Sequence, residues 1–179
     1  MSRLFLMCGL PGAGKTTLAR RLAAEVPAVR LCPDEWMAGL GVDLFDIGFR
    51  AGLEAVFRRH ALELLSSGVD VVLENGFWSR AERAELLRDC RAVGAAVELH
   101  HLDVPFEELV RRLEVRNGLP GEAVITRAML ADYAELFEVP DAAELALFDQ
   151  GRSVADLGKP LGENVFSPEA DRPAVPPIH

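Results

Sequence analysis

The segment from Gly9 to Thr16 combines glycines, one lysine and one threonine at a spacing that suits phosphate chemistry. Its order, Gly-Leu-Pro-Gly-Ala-Gly-Lys-Thr, fits the pattern G-x-x-x-x-G-K-[ST] at every position. In this pattern, glycines let backbone N–H groups converge on phosphate oxygens, the Lys15 ammonium reaches the β- and γ-phosphates, and the Thr16 hydroxyl binds Mg²⁺. The sequence therefore predicts a nucleotide-binding loop that comprises Gly9, Leu10, Pro11, Gly12, Ala13, Gly14, Lys15, Thr16 and Thr17.

The flanking residues supply the elements that such a loop requires. The apolar run Arg3–Cys8 predicts a buried strand that ends at the loop. Lys15–Glu25 carries apolar residues at helical spacing, so a helix is predicted to follow, with its positive N-terminus aimed at the phosphates. Together, the strand, loop and helix favour phosphate binding over a chance match in a glycine-rich turn.

The rest of the chain alternates between predicted strands and predicted helices. The strand predictions cover residues 28–32, 69–73 and 95–103, and the helix predictions cover residues 48–66, 79–93, 105–116, 127–138 and 141–148. This alternation indicates an α/β fold, a three-layer sandwich with a central parallel sheet between helices. From residue 151 onward the periodicity disappears and prolines accumulate, so residues 151–179 are predicted to form an extended or poorly ordered tail.

Composition and charge narrow the classes of function. The 179 residues carry a net charge of −9, which disfavours nucleic acid as a partner. Three cysteines without C-x-x-C spacing argue against a disulfide framework or a zinc site and indicate small buried residues. No apolar run reaches the length of a membrane span, and the N-terminal apolar run is too short for a signal peptide. These features predict a cytoplasmic protein without a membrane partner.

Other nucleotide-dependent classes need signatures that the sequence does not contain. Switch GTPases read the base through an N-K-x-D segment, and the sequence has none. A mechanical ATPase normally closes an apolar strand with an Asp-Glu pair, whereas the strand here ends Leu73-Glu74-Asn75 with a single acid. A kinase is therefore the leading class. An acceptor-independent regulatory ATPase is the alternative from a different class.

Four segments together resemble the small P-loop phosphotransferases, a group that includes chloramphenicol phosphotransferase, the zeta toxins, gluconate kinase and the kinase domain of polynucleotide kinase. The segments are Gly9 to Thr17, Pro33-Asp34, Leu73-Glu74-Asn75-Gly76-Phe77 and the arginine-rich stretch near Arg112 and Arg116. The resemblance covers roughly residues 3–149 and implies a nucleoside-kinase-like P-loop fold that uses ATP and Mg²⁺. It implies a kinase domain at residues 1–150, with a helical lid at about 111–128. Such domains usually have a fifth parallel strand, for which residues 152–157 are a weak candidate.

Asp34 is the residue to which the resemblance assigns the role of catalytic base. It follows the second predicted strand, and a parallel sheet brings the carboxyl ends of its strands to one edge. A carboxylate at that edge can accept the proton of a substrate hydroxyl during attack on the γ-phosphorus. Alternatively, Asp34 serves only as the N-cap of the helix that passes through Trp36.

Arg112 and Arg116 are spaced to share one face of a predicted helix. The resemblance implies that this helix belongs to the lid, and that the two arginines join Lys15 as catalytic residues by stabilising charge on the transferred phosphate. Residues 117–126 are predicted to form the flexible half of the lid, with Arg127 as a weaker candidate just beyond. The alternative is a solvated helix face on which arginines pair with Glu107, Glu108 and Glu114.

The predicted acceptor pocket lies near Asp34 and the third strand, and its candidate residues are Asp34, Trp36, Glu74, Phe77 and Trp78. Glu74 can contact the substrate or hold a water molecule on Mg²⁺, while ordinary packing is the alternative for the aromatic residues. Residues 35–50 are rich in acidic and aromatic side chains. They favour a neutral or cationic hydroxyl compound, such as an aminoglycoside-like antibiotic or a sugar. A polynucleotide or nucleoside acceptor is the alternative.

Overall fold

A four-stranded parallel sheet forms the centre of the computed structural model, which describes residues 1–119 and 123–149. The strands are β1 (Arg3–Cys8), β2 (Ala28–Leu31), β3 (Asp70–Gly76) and β4 (Ala96–His101), in the order β2-β3-β1-β4 across the sheet. β1 lies between two partners, with Leu6 opposite Leu73 on β3 and opposite Leu99 on β4. The predicted central parallel sheet is confirmed.

Helices connect the strands and cover both faces of the sheet. They are α1 (Lys15–Glu25), α2 (Pro33–Gly39), α3 (Ile47–Ser66), α4 (Arg80–Ala92), α5 (Phe106–Asn117), α6 (Arg127–Leu136) and α7 (Ala142–Leu145). On one face, Leu18 of α1 packs in a cluster with Phe5 of β1. On the other face, Phe57 of α3 and Leu86 of α4 share a cluster with Leu6. Because alternate β1 side chains enter opposite clusters, the predicted three-layer α/β sandwich is confirmed.

Side-chain caps explain where several helices begin. Ser79 accepts a hydrogen bond from Ala81 N at 3.2 Å, so α4 starts where the capping-box spacing predicts. Thr126 and Asp141 cap α6 and α7 in the same manner. α7 ends at Leu145, earlier than the sequence predicts, and consists of a single turn after its cap.

β3 is longer than the sequence predicts. Its pairing with β1 continues until Gly76 lies opposite Cys8, after an irregularity in the register between Leu6 and Cys8. Glu74 therefore lies within the strand rather than at its end. This extension brings the turn that follows Gly76 next to the end of β1, where the nucleotide-binding loop begins.

The second described segment, residues 123–149, ends beside β4. Asp149 N donates a hydrogen bond to Val97 O at 2.8 Å, and Asp149 Oδ2 accepts one from Val97 N at 2.8 Å. The candidate fifth strand at residues 152–157 and the predicted tail at residues 151–179 lie outside the described residues. The division of the chain at residue 150 stays a prediction.

Two expectations from composition can be compared with the described residues. Cys8, Cys32 and Cys90 are buried free thiols, as predicted, and burial raises the pKa of Cys8 and Cys32 to about 11 and that of Cys90 to about 12. Across residues 1–119 and 123–149, none of the helices combines the length and apolar character needed to cross a membrane.

Candidate active site

The predicted nucleotide-binding loop connects β1 to α1 at the carboxyl edge of the sheet. Gly9, Gly12 and Gly14 have φ values of 151°, 82° and 98°, which residues with a Cβ atom rarely adopt. Space is restricted as well, since a Cβ atom would lie 3.1 Å from Leu102 O at Gly9 and 3.2 Å from Leu113 Cγ at Gly12. The backbone conformation therefore requires glycine at all three positions, and the close approach of Leu102 to Gly9 and of α5 to Gly12 adds to that requirement.

Lys15 begins α1, and its side chain folds back across the loop. Its Nζ donates hydrogen bonds to Gly9 O and Leu10 O, both at 2.9 Å. Burial lowers the pKa of Lys15 to about 8, while the charge of Asp34 opposes this shift and that of Arg116 adds to it. Asp34 and Arg116 thus both act on the Lys15 ammonium, so two further predicted catalytic residues lie within electrostatic reach of Lys15.

Thr16 and Thr17 follow Lys15 in the first turn of α1, with exposed side chains. A Mg²⁺ ion bound to a nucleotide takes oxygen ligands and usually keeps phosphate and water among them. Within the described part of the chain, no group of three or more His, Cys, Asp or Glu side chains could hold a metal ion. The residues present fit a Mg²⁺ ion carried by the nucleotide, with the Thr16 hydroxyl as the candidate protein ligand.

Asp34 lies in the first turn of α2 and carries an ion pair. The N-cap of α2 is Cys32, so the interpretation of Asp34 as the N-cap is wrong. Arg50 Nη2 donates a hydrogen bond to Asp34 Oδ1 at 2.5 Å. Sequence analysis missed Arg50 because it lies 16 positions further along the chain, on a different helix, where no local spacing indicates the contact.

Glu74 is buried on β3 and has a cationic partner on the neighbouring strand. Arg30 of β2 donates hydrogen bonds to both Glu74 and Glu35, and Arg20 of α1 donates to Glu35 at 2.8 Å. The charge of Glu74 also contributes to the field at Lys15. One signal was available in the sequence, because Arg30 is the charged residue of the otherwise apolar strand Ala-Val-Arg-Leu.

Two of the predicted aromatic pocket residues lie in different environments. Phe77 is 2% exposed, and its ring belongs to the apolar core that the sheet forms with α3 and α4. Its ring therefore packs in the core and does not line an acceptor pocket. The backbone turns sharply after β3 at Phe77, where φ is 48°. Trp36 is 49% exposed and meets the Phe57 ring edge-on, with the ring centroids 5.0 Å apart. Trp36 shares α2 with Asp34 and is accessible to an acceptor.

Trp78 packs against the nucleotide-binding loop. Its Nε1 donates a hydrogen bond to Gly9 O at 3.3 Å, and its ring centroid lies 5.2 Å from that of Tyr133 on α6. The Gly9 carbonyl that accepts this bond also accepts one from Lys15. The structure therefore places Trp78 at the base of the loop, where it can support the position of Lys15.

The turn that contains Trp78 is held by Arg83, a residue that sequence analysis did not single out. Arg83 of α4 is fully buried and donates two hydrogen bonds to Glu144 of α7, at 2.6 Å and 2.9 Å. Its guanidinium also donates to the carbonyl oxygens of Phe77, Trp78 and Glu138. A buried arginine with this set of acceptors fixes the backbone around it, because each bond that is lost leaves a desolvated donor.

α5 carries the predicted lid arginines next to the nucleotide-binding loop. Arg112 Nη1 lies 3.4 Å from Gly12 O and 3.5 Å from Ala13 O. Arg116 follows one turn later on the same face, and its charge reaches the Lys15 ammonium. The helix therefore brings Arg112 to the loop and Arg116 within electrostatic reach of Lys15. The lid itself stays a prediction, and residues 120–122 of it lie outside the described residues.

The same helix also shows the pairing that the solvated-face interpretation predicts. Arg111 and Arg112 both donate to Glu108, at distances of 2.7 Å to 2.8 Å, and these bonds hold the pKa of Glu108 down to about 2. Arg127 of α6 donates two bonds to Glu107, at 2.8 Å and 2.5 Å. Arg127 therefore joins α6 to α5, and Arg112 divides its guanidinium between Glu108 and the loop.

A family model described as an AAA domain matches residues 4–140. Because this match spans most of the sequence, the chain belongs to that family. A comparison with curated proteins gave no match.

Several solved structures share the fold. One chain of the Pnkp1/Rnl/Hen1 RNA repair complex is 21% identical, with a TM-score of 0.67 over 83% of this chain and 46% of that one. A sugar kinase from Janibacter sp. is 20% identical, with a TM-score of 0.60 over 80% of this chain and 82% of that one. Kti12 from Chaetomium thermophilum in complex with ADP-AlF3 is 18% identical, with a TM-score of 0.57 over 78% and 82%.

The likeness to these structures concerns the fold. The chain spans less than half the length of the matched chain in the RNA repair complex. The family match and the shared fold confirm that the chain belongs with the small P-loop proteins that the sequence resembles.

Proposed function

We propose that the protein is a kinase that transfers the γ-phosphate of ATP to a hydroxyl group of a small molecule. The observation that carries this proposal is a complete nucleotide-binding loop with Asp34 in the first turn of α2, directly after a parallel strand of the same sheet. The charge of Asp34 also reaches the Lys15 ammonium. Kinases use a carboxylate to orient the acceptor hydroxyl and to accept its proton, whereas a nucleotide switch has no acceptor hydroxyl to orient. The family and the fold support the same class.

In the proposed reaction, Asp34 orients the acceptor hydroxyl towards the γ-phosphorus and accepts its proton as the new O–P bond forms. The bond between the γ-phosphorus and the β–γ bridging oxygen breaks, and ADP leaves with that electron pair. Lys15, Arg112 and Arg116 supply positive charge to the phosphate oxygens throughout. When bound, Mg²⁺ supplies further charge neutralisation, and Thr16 is the residue that would hold it.

The surroundings of Asp34 support a neutral or cationic acceptor. Trp36, Phe45 and Phe49 are 49%, 46% and 40% exposed, which is unusual for aromatic side chains and offers surface for the apolar face of a sugar ring. The exposed carboxylates Asp43 and Asp46 add negative charge along the same segment. A sugar or an aminoglycoside-like amine fits this combination of aromatic surface and negative charge.

A polynucleotide or nucleoside kinase is the second candidate function. Arg50 places a cation beside Asp34, where the phosphate group of an acceptor could bind. The exposed acids of residues 43–46 and the net charge of −9 oppose a polyanionic acceptor. The small-molecule acceptor is therefore the first candidate.

The test is ADP release from Mg-ATP by the wild type, Asp34→Asn and Asp89→Asn, with and without a panel of acceptors. The panel contains kanamycin, sugars, nucleosides and 5′-hydroxyl oligonucleotides. Asp89 is a matched control because Arg58 donates to it at 2.5 Å, as Arg50 does to Asp34, but between α3 and α4. We expect one acceptor class to stimulate the wild type and Asp89→Asn, and Asp34→Asn to lose about a hundredfold of that rate.

Two other results of this test would change the proposed function. Stimulation by 5′-hydroxyl oligonucleotides alone would move the assignment to the second candidate. ADP release that responds neither to the panel nor to Asp34→Asn would contradict a kinase and support an acceptor-independent ATPase.

A further inference from the structure

Arg50 connects the candidate base to the helix behind it. Its Nη2 donates to Asp34 Oδ1 at 2.5 Å and to Leu44 O at 3.1 Å. Its Nη1 lies 3.8 Å from Glu54 Oε1, one helical turn further along α3. The guanidinium is thus hydrogen-bonded to α2 and to the α2–α3 connection, and it lies near a carboxyl group of α3 itself.

The two members of this ion pair differ in how firmly they are held. The Arg50 side chain is 30% exposed, whereas the Asp34 side chain is 65% exposed. An exposed carboxylate at the start of a short helix would otherwise sample several rotamers. Because Arg50 is also hydrogen-bonded to Leu44 O and is the less exposed partner, it can restrict Asp34 to one orientation.

We infer that Arg50 is the positioning residue for Asp34, holding Oδ1 so that Oδ2 faces the acceptor hydroxyl. This inference rests on the proposed function, since Asp34 needs a fixed orientation only if it accepts a proton. A guanidinium–carboxylate hydrogen bond is strong and directional. A carboxylate held in this way keeps its second oxygen in line for the transfer, which removes part of the cost of orientation from the chemical step.

Glu54 supports the assignment of Arg50 to Asp34. Burial raises the pKa of Glu54 to about 7, the charge of Arg50 opposes this shift, and the charges of Glu82 on α4 and Asp34 on α2 add to it. Near neutral pH, Glu54 is therefore partly protonated, and it competes less for Arg50 than a fully ionised carboxylate would. The distances agree with a preference of Arg50 for Asp34. Arg50 Nη2 lies 2.5 Å from Asp34 Oδ1, whereas Arg50 Nη1 lies 3.8 Å from Glu54 Oε1.

The experiment measures kcat and KM for ATP in Arg50→Gln, Arg50→Lys and Arg50→Ala, with Arg58→Gln as the matched control. Arg58 lies on the same helix, is 27% exposed, and donates to Glu85 and Asp89 at 2.8 Å and 2.5 Å. The acceptor is the one that stimulates the wild type most. If none does, water is the acceptor and ATP hydrolysis is measured.

We expect Arg50→Gln to lower kcat at least about tenfold with KM for ATP changed less than about twofold. Arg58→Gln should keep kcat within about twofold of the wild type. Arg50→Lys should retain an intermediate rate, and added guanidinium ion should restore part of the rate of Arg50→Ala. A purely structural role would not produce this rescue, so it separates positioning from folding.

The outcomes separate the positioning role of Arg50 from the proposed function of the protein. If Asp34→Asn loses the rate while Arg50→Gln keeps it, the positioning role is wrong and the proposed function stands. Equal losses in Arg50→Gln and Arg58→Gln, without rescue by guanidinium, also contradict the positioning role. If Asp34→Asn keeps the rate, the proposed function is wrong, and the inference fails with it.

Discussion

The two sides of the candidate site are built in different ways. The phosphate side, residues 9–16 with Trp78 and Arg83, is tied to the core by glycine turns and by a fully buried arginine. The acceptor side, residues 34–54, exposes aromatic and aliphatic side chains, of which Ile47 is 80% exposed. The comparison indicates that phosphate binding is preorganised by the fold, whereas the acceptor side has apolar surface that a bound molecule can cover.

The largest expected effect comes from breaking the phosphate side at Lys15. Lys15→Ala removes the ammonium that spans Gly9 O and Leu10 O, and we expect acceptor-dependent turnover to fall about a thousandfold. The free energy of unfolding should change by less than about 1 kcal/mol, because burial already disfavours the charged amine. Arg21→Ala is the control, because Arg21 pairs with Glu25 on the surface of the same helix. ADP release measures the turnover, and urea unfolding measures the free energy of unfolding. Retention of a tenth of the rate would argue against this assignment.

The next effect tests whether the phosphate side depends on the core. Arg83→Met removes the guanidinium that donates two hydrogen bonds to the buried Glu144, and it leaves this carboxylate with Arg80 Nε at 3.7 Å. We expect the free energy of unfolding to fall by about 3 kcal/mol. Combining Arg83→Met with Glu144→Met should recover part of that loss, since both charges are then removed. Urea unfolding measures both changes.

Arg80→Met provides the comparison for the buried pair. Arg80 lies on the same helix and near the same carboxylate, with Nε 3.7 Å from Glu144 Oε2, but its side chain is 54% exposed and it donates its side-chain hydrogen bond to Asp141. Its replacement should change the free energy of unfolding by less than about 1 kcal/mol. If Arg83→Met were no more destabilising than Arg80→Met, the buried arginine would not be what fixes the turn beside the loop.

The smallest effect concerns the acceptor side, where Glu54 gives stability a pH dependence. Because burial raises the pKa of Glu54 from 4.5 to about 7, the folded state keeps its proton to higher pH than the unfolded state does. The stability that Glu54 contributes is therefore fully present below pH 4.5, and it is lost as the pH rises to about 7. Glu54→Gln should raise the free energy of unfolding by about 2 kcal/mol at about pH 8, and change it little at about pH 4.

Urea unfolding at the two pH values measures this difference. Glu135→Gln, on the exposed surface of α6, is the control for loss of a carboxylate. Equal effects of Glu54→Gln at both pH values would show that Glu54 does not resist ionisation, and the contrast between the two sides of the site would lose that support.

The phosphate side was largely predictable because its signal is local. β1, the glycine pattern and α1 follow one another directly, so spacing and apolar periodicity are enough to identify them. Asp34 was also predictable, since it follows a strand whose carboxyl end must lie at the same edge of the sheet. These residues could be found without knowing how distant parts of the chain pack.

The partners of these residues depend on tertiary packing, which no spacing encodes. Arg83 and Glu144 are 61 residues apart, and only the packing of α7 on α4 brings them together. Arg50 lies 16 residues from Asp34, and the packing of α3 against α2 brings the two together. Phe77 was assigned to a pocket because aromatic residues after strands occur both in pockets and in cores, and its backbone turn decides between the two.

The bond between Arg83 and Glu144 also has a consequence for the order of events during synthesis. Domains emerge from the ribosome N-terminal end first, so β1, the glycine loop and α4 are made well before α7. Until Glu144 appears, burying Arg83 would leave its charge without a counter-charge, which is strongly unfavourable. We therefore expect the nascent chain to complete the turn beside its nucleotide loop only after α7, a helix of 4 residues, has been translated.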